Sequence, residues 1–257
     1  MLNSTILDGN SVDFWHQRFK QQAGWTASLR QYIFKQINIQ AGTRILEVGC
    51  GTGAVTEDLY QPYKPQIAGI DIHSPFLRYA KTNNPHIEYI QADGLSLPFK
   101  SCSFNLVICH FYLLWVNDPA KAVQEMARVT GRNGVVAALA EPDYGGRIDF
   151  PPALEEIARL QEISLQRQGA DTRMGRQLRK LFTQAGLGAV HIGVLGGEWD
   201  ITPDNEAWES EWQVLEYDLK GLAEPQIHTF RSLEREAWEK NERILYIPTF
   251  YAWGKVK

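Results

Sequence analysis

Gly49-Cys50-Gly51-Thr52-Gly53 closes the apolar run Ile45-Leu46-Glu47-Val48 and leads directly into Ala54-Val55-Thr56-Glu57-Asp58-Leu59. A strand that stops at clustered glycines and turns at once into a helix brings backbone close to a ligand. Glycine makes the tight turn without a Cβ, and the helix start offers unpaired N–H groups. Such a turn suits a nucleotide-like cofactor. Asp71 ends the next apolar run, 18 residues beyond Gly53. A carboxylate there can accept both hydroxyls of a ribose, although a lone acid at that place also reads as a helix N-terminal or turn residue. Asp93-Gly94 follows a third apolar run. Its acid can accept from an exocyclic amine while the glycine brings backbone to a base, but Asp-Gly alone is an ordinary turn. Two acids at successive strand ends after a glycine turn make the stronger pattern.

The elements that must position these residues alternate between strand and helix, which implies a parallel sheet covered on both faces. Strands are expected at Arg44–Val48, Gln66–Asp71, His86–Gln91, Phe104–Cys109, Val135–Ala140 and Ala189–Leu195. Helices are expected at Ala54–Tyr60, Phe76–Thr82, Pro119–Val129 and Gly175–Ala185. Ser74-Pro75 and Asp118-Pro119 mark two helix starts, Gly186 stops a helix, and Gly131-Arg132-Asn133-Gly134 reads as a turn. Arg243–Gly254 reads as a long final strand pair or one bent strand.

Three stretches stand outside this alternation. Residues 10–38 are expected to form a helical cap with apolar stripes at Val12, Trp15 and Phe19 and at Leu29, Ile33 and Ile37. Residues 142–172 hold a helix near Leu154–Gln168. In 196–242, Thr202-Pro203 is expected to start a helix with Trp208, Trp212, Leu215, Leu219 and Leu222 on one face. Insertions after strand ends in an open α/β sheet lie over the ligand crevice, so both segments read as lids on one domain spanning 1–257, with added core as the plainer reading. Trp15 and Trp199 are among the tryptophans concentrated there, which suits a partly hydrophobic ligand.

Composition narrows the partners. A net charge of −4 provides no positive field for a phosphate backbone, so nucleic acid is not expected. Neither a signal peptide nor a membrane span is expected. The cysteines at 50, 102 and 109 form no CxxC pair, pointing to a reduced, cytoplasmic protein. The six histidines lack ligand spacing, and no metal is expected. Monomer and homodimer are both open.

Taken in order, these segments resemble the motifs of class I S-adenosylmethionine-dependent methyltransferases. Ile45–Gly53 resembles the first motif, Gly69-Ile70-Asp71-Ile72 the second, and Ala92-Asp93-Gly94-Leu95-Ser96-Leu97-Pro98-Phe99 the third. Phe104–Leu114 is similar to the fourth, with Asn105 where many members carry Asp. Leu97-Pro98-Phe99 is typical of the UbiE-like, or type 11, subgroup, which acts mostly on small molecules. The likeness is close over residues 40–141 and looser beyond. It implies a Rossmann-like, doubly wound α/β fold with a seven-stranded, mostly parallel sheet and helical lid insertions.

The resemblance also implies roles. Gly49, Cys50, Gly51 and Gly53 would pass the methionine portion of S-adenosylmethionine, with Glu47 near its amino group. Asp71 would hold the ribose, Ile72 would flank the adenine, Asp93 would accept from the adenine amine, and the Gly94 N–H would face the ring. The His110 carbonyl would lie near the sulfonium, with Tyr112 or Trp115 as aromatic neighbours. Methyl transfer to a small, partly hydrophobic acceptor would leave S-adenosyl-L-homocysteine. Candidates for a general base are His110, Asp143 and Tyr144, and Arg147 is placed to meet an acidic substrate group. Two alternatives stand beside this: an NAD(P)-dependent oxidoreductase, because Gly49-x-Gly51-x-x-Ala54 also satisfies that fingerprint, and a non-catalytic S-adenosylmethionine-binding protein.

Overall fold

The computed structural model describes residues 11–40, 42–194, 196, 205–222 and 224–257. Apolar runs bounded by glycine or acid become the central strands β1 (Arg44–Val48), β2 (Gln66–Asp71), β3 (Glu88–Gln91) and β4 (Phe104–Cys109). With β5 (Thr130–Pro142), β7 (Gly188–Val194) and β9 (Thr249–Lys255) they form a seven-stranded sheet of order β3-β2-β1-β4-β5-β9-β7. β9 runs against both of its neighbours, and the other pairs are parallel.

Both faces of this sheet are covered, which is why β1 and β4 are apolar almost throughout. On one face Val107 and Cys109 pack with Val123 and Met126 of α5 (Pro119–Val129) and Phe182 of α7 (Leu178–Gln184). On the other, Leu106 and Ile108 pack with Ile33 and Phe34 of α2 (Ala27–Ile37) and Leu59 of α3 (Ala54–Tyr63). α1 (Val12–Trp25) precedes α2, and the Ser11 hydroxyl caps α1 by accepting the Phe14 N–H at 3.2 Å. Asp118 caps α5 by accepting the Lys121 N–H at 2.9 Å, as Asp118-Pro119 predicts. Gly186, at φ +77°, ends the turn after α7.

Several boundaries differ from the sequence expectation. α4 spans Ser74–Asn83, so His73 rather than Ser74 is its N-cap and Pro75 sits inside its first turn. Residues 131–134 do not separate α5 from β5. Thr130 already pairs with Phe104 and Val135 with Leu106, so the four residues bulge within the strand, with Asn133 at φ 62°. The final apolar run divides at Ile247-Pro248 into β8 (Ile244–Tyr246) and β9, since a proline cannot donate to a continuing ladder.

The two insertions pack on each other. α6 (Glu155–Arg167), α8 (Asn205–Leu219) and α9 (Ile227–Glu239) share an apolar cluster that includes Leu154, Ile157, Trp208, Trp212, Leu219, Phe230 and Ala237. β6 (Ile148–Phe150) pairs with β8 in a separate two-stranded sheet that closes one side. β8 is the first member of the strand pair expected at Arg243–Gly254, α9 and β6 had no counterpart in the sequence reading, and Thr202-Pro203 lies outside the described residues.

Candidate functional site

The parallel strands end along one edge of the sheet. β1 gives way there to Gly49, β2 to Ile72, β3 to Ala92-Asp93 and β4 to His110, the place where an open α/β sheet binds ligands. A cavity of about 700 Å³ opens at this edge and continues beneath the inserted helices. Glu47, Gly49, Cys50, Gly51, Asp71, Ile72, Asp93, Gly94 and His110 all line it. Ile72 is 43% exposed, an apolar side chain held where a flat ring can lie against it. The acids are held by local backbone: Asp71 Oδ2 accepts the Gly51 N–H at 2.9 Å, and Asp93 Oδ1 accepts the Leu95 N–H at 2.9 Å.

Part of the glycine requirement comes from the protein's own aromatics. A Cβ on Gly49 would stand 2.4 Å from Tyr112 Cδ2, and one on Gly94 would stand 2.1 Å from the Tyr112 hydroxyl oxygen. One on Gly51 would meet Phe19 at 2.9 Å. Gly53 does not line the cavity; it caps α3 at φ +81°, with the Tyr89 hydroxyl 2.5 Å from its missing Cβ. Sequence reasoning grouped Gly53 with the ligand-facing glycines, whereas its place is set by the turn and by Tyr89. The same α1 that brings Phe19 here also brings His16, whose Nδ1 is 2.8 Å from the Thr52 hydroxyl.

The ionisable groups divide by environment. Glu47 is buried and accepts the Thr56 hydroxyl, and burial raises its pKa to about 8. His110 shares a 2.9 Å hydrogen bond between Nε2 and the Thr26 hydroxyl. Burial, with the nearby Arg30 adding, lowers its pKa to about 3, which leaves a neutral and weakly basic imidazole. Tyr144 lines the cavity with its pKa raised to about 12 by burial, so it is a neutral phenol. Asp143 is not brought to the cavity. Its buried carboxylate pairs with Arg176, Oδ1 lying 2.7 Å from Nη2, which turns it away from any acceptor.

Trp15, Tyr112, Trp115 and Arg147 also line the cavity, and Trp199 lies outside the described residues. Arg147 is occupied: it donates to Asp149 at 2.6 Å and to Gln161 at 2.5 Å. An ion pair already formed is a poor receiver for an acidic substrate group, contrary to the sequence expectation.

Residues 46–138 match the family described as a methyltransferase domain. A demethylmenaquinone methyltransferase of Renibacterium salmoninarum is 35% identical over 124 residues, which is 48% of this chain and 52% of that protein. One from Anoxybacillus flavithermus is 28% identical over 200 residues, covering 68% of this chain and 80% of that protein. A phosphoethanolamine N-methyltransferase of Haemonchus contortus, solved with S-adenosyl-L-methionine, has a TM-score of 0.59 at 16% identity, covering 90% of this chain and 53% of that one. Residues 46–138 thus carry a methyltransferase domain, and the chain is similar to class I S-adenosylmethionine-dependent methyltransferases of the UbiE-like type. It spans about half the length of the first curated relatives it matches. Those relatives are named as transferases rather than oxidoreductases. The [4+2]-cyclase SpnF aligns with a TM-score of 0.58, so this methyltransferase fold also carries other chemistry.

Within this site, some residues gave no sequence signal as such. Glu141 is fully buried and accepts the N–H groups of Tyr112, Leu113 and Leu114 at 3.1, 2.8 and 3.1 Å. It thereby fixes the segment after β4 that carries Tyr112 and Trp115 into the cavity. Its place at the end of β5 was the available clue. Among the described residues no three His, Cys, Asp or Glu side chains are grouped to hold a metal ion, and no helix is long and apolar enough to cross a membrane.

Proposed function

We propose that this protein moves a methyl group from S-adenosylmethionine to a small, partly hydrophobic organic acceptor. The carrying observation is one continuous cavity that joins the Gly49–Gly51 turn, Asp71 and Asp93 to a chamber walled by lid aromatics such as Trp212 and Trp238. The residues fit the cofactor by chemistry. Asp71 and Asp93 supply acceptors for ribose hydroxyls and an adenine amine, Ile72 offers an apolar face, and Glu47 offers a carboxylate to an ammonium group. Bound there, the cofactor supplies an electrophilic methyl on a sulfonium, and S-adenosyl-L-homocysteine is the product.

The chain's own task is alignment and exclusion of water, because an in-line displacement with a neutral sulfide leaving needs no acid. The His110 carbonyl and the Tyr112 and Trp115 rings suit the neighbourhood of a sulfonium. The two insertions are proposed to act as a lid on a single domain. They carry their own apolar cluster, and α8 is tied to α1 by Arg18–Glu211 at 3.0 Å and by Trp15 against Tyr217 at 5.5 Å. Three free thiols support a cytoplasmic setting. Size-exclusion chromatography with light scattering decides between a monomer and a homodimer.

Incubation with methyl-labelled S-adenosylmethionine and a panel of small apolar alcohols, amines and quinols tests the reading. Label is expected in an organic product together with S-adenosylhomocysteine. Tight cofactor binding without transfer to any acceptor favours the non-catalytic alternative, and thermal stabilisation by NADH alone favours the oxidoreductase.

A further inference from the structure

α8 runs along the lid half of the cavity, where Trp208, Glu211, Trp212, Leu215 and Asp218 all line it. Spacings of three and four residues place them on one face, and the ten steps from 208 to 218 span about 15 Å at 1.5 Å per residue. Ionic groups along this chamber cancel, with one exception. Arg18 pairs with Glu211 at 3.0 Å, Arg147 with Asp149 at 2.6 Å, and Arg243 with both Asp149 and Glu234 at 2.8 Å. Asp218 is left over. It is only 6% exposed, and among the described residues no cation lies within ion-pair distance of it.

Two side-chain amides hold Asp218 instead. Gln161 Nε2 donates to Oδ2 at 2.9 Å and Gln168 Nε2 donates to Oδ1 at 3.2 Å. These bonds orient the carboxyl plane yet use only about two of its four lone-pair sites. A buried carboxyl group with acceptor capacity to spare and no counter-charge in contact is costly unless it finds a donor. Burial pushes its pKa up, the amides pull it back, and Arg18 and Arg147 favour its charge from beyond contact. The Tyr144 phenol, whose pKa is raised by burial and further by the Asp218 charge, lines the same cavity.

We propose that Asp218 is the acceptor-recognising group of this cavity and that it takes an O–H or N–H donor carried on an otherwise apolar molecule. This rests on the methyltransferase reading for the ligand's role as acceptor. An anionic head is rejected at the same place. The lining arginines, 18, 147 and 243, are each engaged by acids, and Asp218 repels a second negative charge. The donor specificity therefore comes from α6 and α8 together, since Gln161 lies on α6, Gln168 caps it, and Asp218 lies on α8.

The test uses the full chain saturated with S-adenosylhomocysteine and three probes of one shape: 2-naphthol, 2-methoxynaphthalene and 2-naphthoate. By calorimetry the wild type is expected to bind 2-naphthol at least about tenfold more tightly than the ether, with the carboxylate weakest, as one charge-assisted hydrogen bond allows. Asp218→Asn is expected to cost 2-naphthol about tenfold, leave the ether nearly unchanged, and strengthen 2-naphthoate by removing the repelling charge. Should that variant fail to fold, Asp218→Thr is read in the same way. Equal wild-type affinities for the naphthol and its ether, no binding of any probe, or an equal loss of all three in the variant would overturn the proposal. Affinity for S-adenosylhomocysteine is measured on the same samples. Its absence in the wild type would count against the cofactor reading and leave the Asp218 comparison to be judged on the probes alone.

Discussion

Asp71 Oδ2 accepts the Gly51 N–H at 2.9 Å, so the acid that ends β2 is bonded directly to the glycine turn that ends β1. Its other oxygen accepts the His73 N–H at 2.8 Å. The same Oδ1 lies 3.0 Å from His73 Nδ1, so the carboxylate is pre-oriented at the cavity edge before any ligand arrives. Asp71→Ala is expected to weaken S-adenosylhomocysteine binding by about 1–3 kcal/mol through unpaired hydroxyls. Isothermal titration calorimetry checks this, and unchanged affinity removes Asp71 from the role.

Glu47 links binding to protons. Its pKa is raised to about 8 by burial, so in the free protein it is mostly protonated near neutrality. For a carboxyl group raised in this way, folded stability is fully present below the unfolded value near 4.5 and is lost as pH rises through 8. An ammonium group placed beside it would lower that pKa. Binding of S-adenosylhomocysteine at pH ~6.5 is therefore expected to release close to one proton, seen as a dependence of the heat on buffer ionisation enthalpy. Glu47→Gln should abolish the dependence. A wild-type heat independent of buffer contradicts the placement of Glu47.

His110 gives the opposite sign. With its pKa lowered to about 3, it stays neutral in the folded protein while the unfolded chain takes a proton below about 6.5. Its contribution to stability is present above 6.5 and lost as pH falls toward 3. His110→Asn is expected to gain about 1–2 kcal/mol relative to wild type between pH ~7 and pH ~5, read by urea unfolding. The same neutrality implies that no limb of the pH–rate profile near 6.5 belongs to His110. A constant stability difference between the two pH values contradicts the assigned burial.

The architecture around the site was legible where short-range patterns set it. β1, β2 and β4 begin and end where their apolar runs do, and Asp118-Pro119 marks the start of α5. The Gly49–Gly51 turn and the two acids were legible for the same reason, since each sits within a few residues of a strand end. What escaped depends on distant partners. β6 is three residues long and exists only because it pairs with β8, almost a hundred residues further along the chain. Asp218 has no local signature, because the amides that orient it come from 57 and 50 residues away. Asp143 and Arg147 looked available in sequence, and Arg176 and Asp149 occupy them.

The lid has a polar centre of its own. Arg243 is buried between Asp149 and Glu234, and Trp212 Nε1 donates to that same Glu234 at 2.6 Å. Arg243→Met leaves the buried Glu234 without a cation and Asp149 with Arg147 alone, and is expected to cost about 3–5 kcal/mol. Limited proteolysis should then cut within 142–172 or 196–242 sooner than in the wild type, while affinity for S-adenosylhomocysteine changes by less than about threefold. Equal resistance to cleavage in variant and wild type contradicts the idea that this network holds the lid together.

A crystal structure of the protein with S-adenosylhomocysteine tests the central claim most directly. The ribose hydroxyls are expected on Asp71, the adenine amine on Asp93, the ring against Ile72 and the amino group toward Glu47. Ligand density elsewhere in the molecule, or a cavity that stays free of it at saturating concentration, contradicts the account.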